Sequence, residues 1–377
     1  MTPIQMVDLK RQYLKIKTDV DIAMQEVIDN TAFIHGPAEQ EFARKLENYL
    51  GVNHVIPCAN GTDALQIALM SLGLEPGDEV ITPSFTFIAT AEVIALLQLK
   101  PVFVDVDEKT FCADVEEIER AITSRTRAII PVHLFGQSAA MEPLMELARR
   151  HSIHVIEDNA QAIGSDYTFS DGKKLKTGGI GHIGCTSFFP SKNLGCFGDG
   201  GAVMTNDNEL ADKIRMIANH GQSKRYYHDL VGCNSRLDSL QAAILKVKLG
   251  HLDEYISARR KAAAFYTRSF SGHDDLIVPY CADYTRHVFH QYTLRVLNGR
   301  RDELRDYLSE HEVPSMVYYP VPAHQQKMFE GVADIPSSLP VTDQLSAEVL
   351  SLPMHTELDE EQLLHITGAV LDFFSRK

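Results

Sequence analysis

Between Asn53 and about Thr205 the chain alternates short apolar, β-rich runs with stretches of helical periodicity. That alternation constrains the fold more than any other feature, because parallel strands need helical crossovers and an α/β layer arrangement supplies them. Strands are expected over residues 55–58, 80–82, 101–105, 128–132, 153–157, 185–189 and 202–205, with helices beginning near Thr62, Thr86, Asp114 and Met141. Only residues 190–201 separate the last two strands. No helix fits there, so one antiparallel element is expected in a mostly parallel sheet.

From Ser235, apolar residues at Leu237, Leu240, Ile244 and Val247 follow helical spacing and predict a helix linking to a second domain. Beyond Gly272 come a β-rich run, 287–296, a helix, 301–310, and a proline-studded loop, 317–324. A chain of 377 residues exceeds one small core, since roughly 150 residues per domain is the usual scale. The expected division is a large α/β domain over 31–250, a smaller C-terminal α/β domain over 251–377, and a segment over 1–30 that packs with the smaller one.

A net charge of −15 argues against a broad phosphate-binding face for nucleic acid. The six cysteines show no CxxC spacing, which fits free thiols in a reducing compartment rather than a disulfide frame or a zinc site. The first residues lack the apolar core of a signal peptide, and no run approaches ~18 apolar residues. The expectation is a cytoplasmic protein that does not span a membrane. HExxH, GxSxG and Walker patterns are absent and the histidines are dispersed, so no metal is expected.

Several residues suit one kind of chemistry. Lys192 lies in SFFPSKNLG, where Phe188, Phe189 and Pro190 form an apolar collar that favours the neutral, nucleophilic amine; a lone lysine is otherwise a solvated one. Asp158 ends the strand IHVIED, at the carboxyl edge where open α/β sheets place ligands, although it also suits a helix N-cap. Gln161 stands one turn further on. Asn60-Gly61-Thr62-Asp63 leads from a strand into a helix, so free N–H groups and the helix dipole suit a phosphate; plain turn-and-cap chemistry explains it too. Ser187 is a second phosphate candidate or a satisfied strand hydroxyl. Phe85 and Phe87 follow another strand end, where one can stack on a ring and the other fill the core.

A coenzyme that acts as an electron sink needs a lysine for its aldehyde, an acid for its ring nitrogen, a phosphate cradle and a surface for its ring. The residues above supply all four, which points to pyridoxal phosphate. The literal GxGxxG match, Gly179 to Gly184, is followed by the β-rich run CTSFF rather than a helix, so it fails the dinucleotide fingerprint.

Taken in order, CANGTDAL, GDEVITPSFTF, VIEDNAQAIG, TSFFPSKNLG, GDGGAVMTND and NSRLDSLQAAIL resemble the DegT/StrS-type sugar-nucleotide aminotransferases, from VDLKRQY to YYPVPAHQQ. The resemblance implies the aspartate-aminotransferase-like fold type I and a homodimer with shared active sites. By motif position Lys192 would carry the cofactor as a Schiff base and Asp158 would hold the pyridine nitrogen. Gln161 would contact the ring, Phe87 would stack on it, and Gly61, Thr62 and Ser187 would bind the phosphate. Asn234 would reach that phosphate from the neighbouring subunit.

The implied reaction moves an amino group, from L-glutamate, to a keto sugar on a nucleotide. KNLGCFGDGGA and HGQSKRYYHDLVGCNSRLD look most like members that aminate C3 of a UDP-linked 2-acetamido-3-keto uronic acid for bacterial surface polysaccharide. Arg236, Arg225 and Lys224 would meet the sugar carboxylate or the diphosphate, with surface charge as the plain alternative. Tyr318, Tyr319 and His324 would lie at the sugar pocket, where Tyr318 replaces the histidine of many relatives. Amination at C3 or C4 of a dTDP- or UDP-linked keto-deoxysugar is the alternative. Dehydrating relatives replace the lysine or add an iron–sulfur cluster, which Lys192 and the absence of a C-terminal cysteine cluster argue against. A non-catalytic, cofactor-binding regulator is the reading of another class.

Overall fold

The computed structural model describes residues 2–376 except 334 and 337. Seven strands form the main sheet: β1 (His54–Cys58), β2 (Glu79–Pro83), β3 (Lys100–Val104), β4 (Thr126–Ile129), β5 (His154–Asp158), β6 (Ile183–Ser187) and β7 (Gly201–Thr205). Their order across the sheet is β1-β7-β6-β5-β4-β2-β3. Only β7 runs against its neighbours, which matches the antiparallel element expected from the short 190–201 link. The carboxyl ends of β2, β5 and β6 therefore meet at one edge, beside the start of β7.

Two differences from the sequence reading have simple causes. β4 stops at Ile129, short of Pro131, which has no N–H for the ladder. β6 ends at Ser187 rather than at Phe189, because Phe188 turns into the interior and packs edge-on against Phe42, 5.4 Å between centroids.

Helices cover both faces, so strands such as β2 are buried along their whole length. On one side α3 (Gly61–Ser71), α4 (Ala89–Leu96) and α7 (Asn208–Ala218) pack Ile67, Ile94 and Ile214 against Val203 and Ile156. On the other, α5 (Val115–Ala121) and α6 (Met141–His151) pack Ile118, Leu144 and Leu147 against Val104 and Val155. Asp114 and Asp207 cap α5 and α7 through side-chain bonds to first-turn N–H groups.

The linking helix predicted from Ser235 is two helices, α8 (Ser239–Leu249) and α9 (Leu252–Phe270), broken at Gly250 and His251. Glycine is a poor helix residue, and the break lets α9 leave the sheet for a second core. That core is built by Tyr266, Phe270, Tyr292, Leu308 and Ile366, around a three-stranded antiparallel sheet of β8 (Leu276–Ile277), β9 (Tyr292–Val296) and β10 (Val349–Leu352). α10 (Arg301–Glu310) and α12 (Glu360–Ser375) flank it, and α11 (Pro340–Glu348) leads into β10. Ile4 joins this core, whereas Ile16 and Val20 of α1 (Leu9–Asp29) lie on Ile244 of α8; α2 (Pro37–Leu50) adds Phe42 and Leu46 beside them. The β-rich run 287–296 is strand only from Tyr292. Among the described residues no helix is long and apolar enough to cross a membrane.

Candidate active site

At the carboxyl edge of the sheet lies a cavity of about 830 Å³ lined by Lys192, Asp158, Gly61, Thr62, Phe87, Gln161, Ser187, Tyr318 and Tyr319. These residues, all candidates in the sequence, come from five separate stretches that meet in one place.

Lys192 sits on the irregular link between β6 and β7, its N–H bonded to the Phe189 carbonyl at 2.8 Å. The link is held from behind: Lys248 of α8, fully buried, donates from Nζ to the Gly195 carbonyl, and Asn193 donates from Nδ2 to the Val288 carbonyl at 3.1 Å. Burial pulls the Lys192 amine from its ordinary value down to about 8, against the opposing pull of the Asp158 carboxylate. Of the expected collar, Phe189 lines the cavity and Phe188 serves the core.

Asp158 is buried at the end of β5, with Oδ2 accepting from Thr90 Oγ1 at 2.8 Å and Oδ1 from the Ala160 N–H at 3.1 Å. A turn, not a helix, follows it, so the N-cap reading reduces to that one bond to Ala160. Thr90 was missed in the sequence. It lies in α4, 68 residues away, and only the fold brings it to the carboxylate.

The expected phosphate cradle is built from local contacts. Asn60 caps α3 through Oδ1, accepting from the Asp63 N–H at 2.8 Å, while the Ala64 N–H bonds the Asn60 carbonyl. Among the described residues this leaves the Gly61 and Thr62 N–H groups as free first-turn donors, beside the positive end of the helix. A Cβ on Gly61 would come within 2.6 Å of Ser187 Cβ, so only glycine brings this helix end against Ser187. Free N–H groups at a helix start, with two hydroxyls adjacent, fit a phosphate.

Phe85 and Phe87 divide their roles: Phe85 is buried against Phe111 and Phe135, while Phe87 is 54% exposed and faces the cavity. Gln161 accepts from the Phe135 N–H at 2.8 Å and donates to Tyr319 Oη at 3.0 Å, which fixes its amide with one N–H and one lone pair left for a ligand. An amine of lowered pKa, a carboxylate, a nest suited to phosphate and an aromatic face on one cavity are what pyridoxal phosphate requires.

Five expected contacts lie elsewhere in this chain. Asn234 is exposed, bridged through its backbone to Asn219. Arg225 is exposed on the hairpin formed by Gln222–Lys224 and Tyr227–His228, stacked on Tyr226, and Lys224 lies over Tyr227. Arg236 lines a separate cavity of about 610 Å³ with His35 and Asn219. His324 is buried away from the pocket: its Nδ1 meets Ser84 Oγ at 2.7 Å and its Nε2 faces Asp343 at 3.4 Å, which pins the segment after Tyr319 to the end of β2.

The rejected glycine motif has a different use. Glu157, fully buried, accepts from the Gly178, Ile180 and Gly181 N–H groups and from His133 Nε2 at 2.8 Å. Ring tautomer follows from His133 Nδ1 accepting the Ala139 N–H. The glycine-rich turn therefore wraps an internal carboxylate. Gly184 lies so close to Gly178 that a Cβ would meet its carbonyl oxygen at 2.1 Å.

Comparison with known proteins agrees with this geometry. A "Pleiotropic regulatory protein" of Geobacillus stearothermophilus is 46% identical over 373 residues, 98% of both chains. A UDP-2-acetamido-2-deoxy-3-oxo-D-glucuronate aminotransferase of Pseudomonas aeruginosa is 46% identical over 367 residues, covering 97% of this chain and 99% of that one. Among solved structures, DesV of S. venezuelae in complex with a ketimine intermediate superposes with a TM-score of 0.95 at 40% identity, over 100% of each chain. The DegT/DnrJ/EryC1/StrS aminotransferase family pattern matches residues 15–371. The chain belongs to that family.

Proposed function

We infer that this pyridoxal-phosphate-dependent aminotransferase aminates a keto sugar attached to a nucleotide, with UDP-2-acetamido-2-deoxy-3-oxo-glucuronate as substrate, C3 as the aminated carbon and L-glutamate as donor. The observation that carries the reading is the convergence of Lys192, Asp158 and the free N–H groups of Gly61 and Thr62 on one cavity. Lys192 would hold the cofactor aldehyde, Asp158 the ring nitrogen, Gly61, Thr62 and Ser187 the phosphate, Phe87 the ring face and Gln161 a ring substituent. When bound, pyridoxal phosphate supplies the electron sink that lets a C–H bond beside nitrogen be broken and re-formed.

The chain's own residues do the rest. With a pKa near 8, Lys192 Nζ can take a proton and return it near neutral pH, as a general base and acid must. Thr90 and Ala160 hold the Asp158 carboxylate in a fixed direction, so no reorganisation is needed when positive charge develops opposite it. Val132, Phe135 and Phe189 line the cavity with apolar surface and displace water from it.

The uronate choice rests on the KNLGCFGDGGA and HGQSKRYYHDLVGCNSRLD stretches and on the name of the Pseudomonas relative. In this reading the protein serves surface polysaccharide synthesis in the cytoplasm. Mixing the pyridoxamine-phosphate form with a panel of 3-keto and 4-keto nucleotide sugars tests it: the UDP-linked 3-keto uronate is expected to restore the aldehyde spectrum fastest. Restoration by a 4-keto deoxysugar alone would overturn the C3 assignment, a result that the unusual Tyr318 would then explain. No restoration by any sugar favours the non-catalytic reading, which the name of the Geobacillus relative also suggests.

Exposure of Asn234, Arg225 and Val231 on one hairpin region suits a second copy of the chain, and a homodimer would carry these residues to the neighbouring cavity. A freely exchanged equal mixture of Asn234→Ala and Lys192→Ala proteins is then expected to regain about a quarter of wild-type activity, since about half of the dimers would be mixed and each would hold one intact site. Proven subunit exchange without any recovery contradicts a shared site.

A further inference from the structure

The composition of residues 287–291 predicts strand, yet the segment takes an irregular path along the wall of the cavity. Phe289 adopts φ +47°, a left-handed conformation that aromatic residues rarely hold and that persists only where the surroundings enforce it. The enforcement is visible. Arg259 of α9, 2% exposed, donates from one guanidinium nitrogen to the carbonyls of Phe289 (3.2 Å), His290 (3.2 Å) and Met354 (2.9 Å). Arg260 holds the other end through the His287 carbonyl at 2.8 Å, and the His287 ring stacks on Phe289 with centroids 3.9 Å apart. Gly136 clears the way, since a Cβ there would meet the N atoms of Phe289 and His290 at 2.9 Å.

Among the described residues Arg259 faces no carboxylate, and a buried cation without a counter-ion is a costly arrangement. All of this brings two polar residues, His290 and Gln291, to the lining of the same cavity as Lys192, with Gln291 also bordering a small neighbouring cavity beside Tyr280. His290 is 6% exposed, and its Nδ1 has no partner. Burial, with the charges of Lys192 and Arg259, holds its pKa well below the ordinary histidine value, so the ring is uncharged.

The roles of cofactor binding leave these two residues unused. An uncharged imidazole and an amide complement hydroxyl and amide groups but cannot balance a diphosphate or a carboxylate. We propose that His290 and Gln291 form the wall that hydrogen-bonds the uncharged hydroxyl and acetamido groups of the substrate's sugar ring, and that Arg259 is a positioning residue that sets this wall through the backbone. The inference rests on the nucleotide-sugar reading above and adds the part of the site that recognises the sugar.

Calorimetric titration of the cofactor-loaded protein with UDP and with UDP-N-acetylglucosamine, which carries the ring but no keto group, separates the two. Wild type is expected to hold the sugar nucleotide about 5- to 30-fold more tightly than UDP, the scale of one or two net hydrogen bonds. His290→Leu should erase that increment while UDP affinity stays within about twofold, a change of the size expected for a residue that does not touch the nucleotide. Gln291→Leu, on a side chain outside the Arg259 clasp, should shrink the same increment, and His290→Gln should keep part of it. An increment that survives in both leucine variants, or a UDP affinity that falls in step with it, overturns the wall. A wild type that holds neither probe overturns the nucleotide-sugar reading, and the wall falls with it.

Discussion

Lys192→Ala is expected to lower turnover by at least about 10,000-fold, because in the proposed mechanism one side chain would be both the covalent anchor and the proton carrier, and either role is worth orders of magnitude. Its melting temperature should stay close to that of wild type, since the amine makes no hydrogen bond that the fold depends on, and the link is held by Lys248 and Asn193 instead. The same lysine sets a pH dependence. Only the neutral amine attacks an aldehyde, so the rate at which cofactor-free protein captures pyridoxal phosphate should rise with pH and level off above about 8. An ordinary lysine, near about 10.4, would still be gaining rate at pH 10. Capture that keeps rising past pH 9 would show that burial does not tune this group.

Asp158→Asn is the second large effect. It keeps the shape of the side chain and its bonds to Thr90 and Ala160 are largely replaceable, but it removes the charge that is proposed to face the ring nitrogen. A charge-assisted hydrogen bond is worth about 1.5–3 kcal/mol, so kcat is expected to fall by roughly 10- to 150-fold, with weaker cofactor retention. Thr90→Val should do the same on a smaller scale by freeing the carboxylate to rotate. A kcat for Asp158→Asn within about twofold of wild type would contradict its role, since that is the scatter of neutral surface changes.

Much of this was legible before the fold was known, for physical reasons. Strand ends carry ligands in open α/β sheets, so Asp158, Ser187 and Phe87 announced themselves by position, and the Asn60–Asp63 turn by its cap chemistry. The antiparallel β7 followed from the length of a connection. What was not legible depends on distant packing. Thr90 is one threonine in an apolar helix until α4 is laid beside β5. His290 hid in a run that reads as strand, because a left-handed Phe289 leaves no trace in residue type and its cause, Arg259, lies on another helix. His324 shows the reverse: a histidine beside the sugar loop in sequence, but occupied by Ser84 in space. The glycine run 178–184 is a case where the rejection of a dinucleotide site was sound and the true use, a nest for the Glu157 carboxylate, needed the folded chain.

Among the described residues two lysines are buried enough to have amines near pKa 8, Lys192 at the cavity and Lys248 behind it. Borohydride reduction of the cofactor-loaded protein, followed by peptide mapping, distinguishes them and tests the central claim most directly. The prediction is that the reduced cofactor is attached to Lys192 alone and that Lys192→Ala carries none. Attachment to Lys248, or retention of the covalent label by Lys192→Ala, would contradict it.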